Sequence, residues 1–70
     1  MIKYPKNIES YMRTYYNSLN ERDKRHYAAV ESLKLDYGGI TYISEVLNIN
    51  IETVRKGIDE LKKKTLTANE

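Results

Sequence analysis

Apolar residues recur at helical spacing along most of this chain, and polar residues interrupt them at a few sharp places. Ile8, Tyr11, Met12, Tyr15, Tyr16 and Leu19 follow at steps of three, one, three, one and three. That is the stripe of an amphipathic helix with a period near 3.6. It predicts a first helix over residues 8–18, entered from an extended lead-in, residues 1–7, that holds the only proline, Pro5. Asn7 is placed to cap this helix by accepting from an early backbone N–H.

Asn20 is the expected cap of a second helix, with Glu21 and Asp23 in its first turn, where the helix dipole favours negative charge. Tyr27, Val30 and Leu33 form its predicted inward stripe, Ala28 and Ala29 allow close approach, and the pattern runs to about Leu35. Tyr37-Gly38-Gly39 breaks it, with Gly38 expected as a left-handed C-terminal cap, where a side chain would clash. A short third helix follows over residues 40–47, with Ile40, Ile43 and Leu47 inward and Ser44 facing the next helix.

Asn48-Ile49-Asn50 then reads as a tight turn: a residue that tolerates positive φ, an apolar plug and a helix cap. Val54, Ile58 and Leu61 give the buried face of a fourth helix, expected to end near residues 62–64, where lysines suit the negative end of the dipole. Residues 65–70 read as a tail or the start of a linker. No strand alternation occurs, so no sheet is expected. The predicted fold is all-α: a small four-helix domain over residues 8–64. Its three-helix core is of the homeodomain-like or winged-helix type, and a helix-turn-helix spans residues 40–62.

Composition narrows what this fold can do. Seventy residues make one domain, and with no cysteine there is neither a disulfide brace nor a thiolate metal site. The single histidine, His26, cannot build a zinc site alone and is expected at the surface or the core boundary. No metal ligand, cofactor or small-molecule substrate is therefore anticipated. The seven tyrosines, with no Phe or Trp, bring apolar bodies whose hydroxyls can reach the surface. Tyr15 and Tyr16 read as core rather than as a platform for stacking bases. No apolar run approaches the roughly 20 residues needed to span a bilayer, and residues 1–6 lack the apolar stretch of a signal peptide. The expected location is the cytoplasm, with no membrane partner.

The net charge is +2, mildly basic. Residues 1–35 carry seven cations against four carboxylates, and residues 36–70 carry five against six. The half with the helix-turn-helix is thus the less basic one, which argues against a strong free-standing DNA binder.

In a helix-turn-helix the second helix enters the major groove with its N-terminal residues toward base edges. The outward candidates are Ile51, Glu52, Thr53, Arg55 and Lys56. Arg55 suits guanine, Thr53 a thymine methyl or a phosphate, and Glu52 the amino group of cytosine. Lys56, Lys62 and Lys63 would hold the DNA backbone without reading sequence, and Ile51 can instead help the turn to close. Plainer readings stand beside these: a lysine run is often a solvated helix end, and Arg22, Lys24 and Arg25 fit a solvated face.

Leu19-Asn20-Glu21-Arg22, Arg25, Tyr27-Ala28-Ala29, Glu31, Tyr37-Gly38-Gly39-Ile40 and Gly57-Ile58-x-Glu60-Leu61 together resemble the N-terminal region of bacterial insertion-sequence transposases of the ISAzo type. The resemblance covers about residues 19–61. It implies a helical DNA-binding front end that recognises the terminal inverted repeats of a mobile element, ahead of a DDE catalytic domain. It also places Thr53, Arg55 and Lys56 at the DNA and gives Glu31 and Gly38-Gly39 structural roles. Asp36, Asn48 and Asn50 depart from the pattern, which has glycine, glycine and serine there. Two-metal strand transfer needs carboxylates on a folded scaffold, which these helices do not provide, so no enzymatic activity is expected of the chain itself. Two other functions fit the same pattern. One is a free-standing transcriptional regulator, acting as a homodimer on a palindrome. The other is a protein-interaction module that docks a partner helix; Glu45, Glu52, Asp59 and Glu60 beside the supposed reading helix suit it.

Overall fold

The computed structural model describes the backbone of residues 3–68 and the side chains of residues 3–65. Four helices follow one another: α1 (Lys6–Asn17), α2 (Glu21–Leu33), α3 (Gly39–Leu47) and α4 (Ile51–Ala68). Among the described residues there is no strand. The all-α expectation holds, and the boundaries differ in instructive places.

Helix α1 begins two residues early. Pro5, at φ −58° and ψ 153°, takes the cap position, and its carbonyl accepts from the Glu9 amide at 3.0 Å. Proline pre-sets this φ and needs no amide partner there, so Asn7 falls inside the first turn and caps nothing. Asn20 does cap α2: its Oδ1 accepts from the Asp23 amide at 2.8 Å. That helix stops at Leu33, and Gly38, at φ +91°, begins α3 instead of closing α2. The Gly38 carbonyl accepts from the Tyr42 amide at 3.0 Å.

The turn forms as its residue types predict. Asn48 sits at φ 57° and ψ 51°, the left-handed region. The Ile49 amide reaches back to the Ser44 carbonyl at 2.9 Å and the Asn48 amide to the Glu45 carbonyl at 3.2 Å. This pair of bonds closes a Schellman motif. Asn50 then accepts from the Glu52 amide at 2.8 Å and opens α4. That helix does not end at residues 62–64 but continues to Ala68. Residues 69–70, the last of the expected tail, lie outside the described residues.

The core is built from Met12 and Tyr16 of α1, Ala28 and Ala29 of α2, Tyr42, Ile43, Val46 and Leu47 of α3, and Val54 and Ile58 of α4. Ile43 and Val54 are fully buried at its centre. Helix α2 is the hub, packed on α4 and α3, while α1 lies on α3 and α2 and does not reach α4. Two predicted stripes are corrected. On α2, Val30 and Leu33 are exposed, and the buried face is Ala28, Ala29 and Ser32. The reason is Gly57, where an added Cβ would collide with the Arg25 carbonyl and lie 3.2 Å from the Ala29 methyl. Backbones this close admit only small side chains between them. On α1, Tyr11 and Tyr15 are exposed, and Tyr15 leaves the core to meet Tyr27 edge-on with ring centroids 5.2 Å apart.

Polar links between side chains also pin the helices. Arg25 Nε and Nη2 donate to Glu60 at 3.0 and 3.1 Å, and His26 Nε2 lies 3.1 Å from the same carboxylate. The Arg25 guanidinium holds the Glu60 carboxyl below its ordinary value. Farther along, the Tyr42 hydroxyl donates to buried Glu9 at 2.5 Å and accepts from the Tyr4 amide at 2.9 Å. Burial, then the Glu9 bond, pushes this phenol up.

Candidate nucleic-acid interface

Val54, Gly57 and Ile58 of α4 are buried, so the opposite side of the helix is the one presented outward. Glu52, Lys56, Asp59 and Lys63 are all exposed, and their spacing of four, three and four residues makes one straight outward stripe. Acid and base alternate along it. Glu52 and Lys56, at its leading end, are where the sequence places them, and Asp59, one of the carboxylates that suit the protein-interaction reading, lies on the same line.

The other expected contacts are spread around this stripe. Arg55 stands on one flank with its side chain 61 % exposed, and its Nη1 lies 2.9 Å from Glu52 Oε1. Thr53 is half-buried on the other flank, and half-buried Ile51 helps to close the turn. Lys62 is exposed on the rim of an apolar groove formed with Leu33, Ile58, Leu61 and Thr65. Lys62 and Lys63 lie about 17 Å along the helix from Ile51, by the rise of 1.5 Å per residue. They do not share one site with the start of α4.

Pairing redistributes the positive charge. On α2, Arg22 pairs with Asp23, Lys24 with Glu21, Arg25 with Glu60 and Lys34 with Glu31. Lys3, Arg13, Lys56, Lys62 and Lys64 pair with no carboxylate among the described residues. The accessible positive field therefore comes from α1, the segment before it and α4, not from the basic run of α2. Arg13 also marks the end of α3, donating to the Val46 carbonyl at 3.0 Å.

A depression of about 440 Å³ opens beside the start of α4, where Tyr37, Gly39, Thr41, Ile51 and Arg55 meet. Tyr37 is 99 % exposed on its rim. Sequence reasoning passed over Tyr37 because it stands outside every apolar stripe; the Gly-Gly that follows was the available signal. Comparison with protein-family models, curated proteins and solved structures finds no match to this chain.

Proposed function

We propose that this chain is a duplex-DNA-binding helix-turn-helix module in which the start of α4 enters the major groove. The observation that carries this reading is the Asn48 turn. It closes α3 and launches α4 so that Glu52, Arg55 and Lys56 stand clear of the core while Val54 is fully buried. The turn fixes the direction of α4, and with it leaves a charged, solvent-facing start that no other helix covers among the described residues. Lys56, with no carboxylate partner, leads the outward stripe, and Glu52 beside it can accept from cytosine. Lys62 and Lys63, farther along α4, would extend the footprint through backbone contacts.

The resemblance to ISAzo-type insertion-sequence transposases supports a more specific role, recognition of terminal inverted repeats ahead of a separate catalytic domain. A second reading, a dimeric transcriptional regulator, draws support from the apolar groove formed by Leu33, Ile58, Leu61 and Thr65, a surface suited to self-association.

The test is fluorescence anisotropy with two duplexes of equal length, one taken from inverted repeats flanking the gene and one scrambled. The transposase reading expects tighter binding to the repeats, with an affinity that falls as salt rises. Equal, weak and salt-insensitive binding to both would contradict it.

A further inference from the structure

Resting on the duplex-binding reading above, we infer that the depression between the α2–α3 loop and the start of α4 is a phosphodiester site, with Tyr37 and Arg55 as its two arms. Three observations converge. Arg55 does not lie on the outermost stripe of α4 but on its flank, lining the depression together with Tyr37 and Thr41. A guanidinium there meets the strand at the edge of the groove, not the base edges at its floor. Tyr37 is wholly exposed, and among the described residues its ring makes no contact with another aromatic or with a cation.

The loop that carries Tyr37 is braced. Gly38 holds φ +91°, and a Cβ at Gly39 would lie 2.6 Å from the Ser32 carbonyl oxygen and 2.9 Å from the Leu35 Cβ. The Gly39 amide also donates to the Asp36 carbonyl at 3.0 Å. Gly39 is thus seated against the end of α2, and Tyr37, two residues before it, projects into solvent. Half-buried Leu35, Ile40 and Ile51 line the depression with apolar surface against which a deoxyribose can rest. The Tyr37 and Thr41 hydroxyls are donors for one phosphate, and the Arg55 guanidinium joins them by exchanging the exposed Glu52 carboxylate, 2.9 Å from its Nη1, for that phosphate. Asp36 lines the same depression and opposes an anion, which gives the proposal a signature of opposite sign.

The probe is a labelled mixed-sequence duplex two helical turns long, titrated with the full chain at several salt concentrations. Arg55→Ala should weaken binding about tenfold or more and lower the slope of log affinity against log salt by about 0.9, the value for one lost phosphate contact. Tyr37→Ala should weaken it about two- to tenfold with the slope unchanged, since no charge is lost. Asp36→Asn should tighten it. The double variant Tyr37→Ala/Arg55→Ala should lose less than the two single losses combined, because both serve one phosphate. Tyr37 is fully exposed, so unchanged helical circular dichroism is the folding control. A wild type that binds while Tyr37→Ala and Asp36→Asn bind just as it does would overturn the phosphodiester site and leave the groove-reading helix standing. A wild type that binds no duplex would overturn both.

Discussion

The Cα of Gly57 faces the carbonyl oxygen of Arg25 so closely that no side chain fits between them. This crossing sets how α2 and α4 meet, and hence where α4 points. Alanine at position 57 would favour the helix by up to about 1 kcal/mol, but its methyl would have to push apart two backbones. Overpacking of this kind costs about 1–3 kcal/mol, and a backbone carbonyl yields less than a side chain does. Gly57→Ala should therefore lower the urea midpoint, with the m-value little changed. An equal or higher midpoint would show that the crossing relaxes freely.

Among the described residues, the phenol of Tyr42 is the one tyrosine hydroxyl tied to a buried carboxylate, accepting from the Tyr4 amide while donating to Glu9. Tyr42→Phe would leave Glu9 with Lys6 alone, at 3.8 Å. An orphaned buried acceptor costs about 1–3 kcal/mol, and denaturation should show a loss of that size. Because the fold raises this phenol above its ordinary value, its contribution is fully present below about pH 10 and is lost as pH rises through the higher folded value. The alkaline limb of stability should flatten in the phenylalanine variant.

Glu60 gives the opposite limb. Its carboxyl is lowered, first by the Arg25 hydrogen bonds. The stability it adds is thus present above the ordinary glutamate value, about 4.3, and is lost as pH falls through the lower folded value. Glu60→Gln should be less stable than wild type near neutrality, with the gap closing as pH falls below 4. A gap that stays constant across that range would mean the Arg25–Glu60 link contributes nothing through charge.

The turn at residues 48–50 and the caps of α2 and α4 were legible in the sequence because their chemistry is local. Asn48 tolerates positive φ, and Asn20 and Asn50 each satisfy amides within three residues of themselves. The buried face of α2 was not legible, because it depends on Gly57, a residue on another helix that brings the backbones too close for Val30 or Leu33. Glu9 was equally hidden: nothing near it explains a buried carboxylate until Tyr42 arrives from thirty-three residues away. The length of α4 was not legible: lysines suit a helix end without making one, and residues 65–68 contain neither proline nor glycine to stop the helix. Of the candidate site, the outward exposure of Glu52 and Lys56 was legible, because periodicity alone turns them from the core. That Tyr37 and Arg55 line one depression was not, because only the folded loop brings the two segments to the same face.

The Arg55–Glu52 pair is exposed on both sides, at 61 % and 75 %, so it adds little to stability. It does occupy the guanidinium that DNA would engage, and it sets a carboxylate at the leading end of α4. Glu52→Gln should leave the urea midpoint unchanged within error and tighten binding to mixed-sequence duplex several-fold at low salt. Weaker binding would instead assign Glu52 a favourable contact of its own.

The most direct measurement is a backbone-amide NMR titration of the full chain with duplex DNA at low salt. The largest shifts are predicted at residues 51–56 and 37–41, with smaller ones near Lys62, and none along the α2 face around Val30. An unperturbed start of α4, with shifts confined to the Leu33–Leu61 groove or absent altogether, would contradict the account.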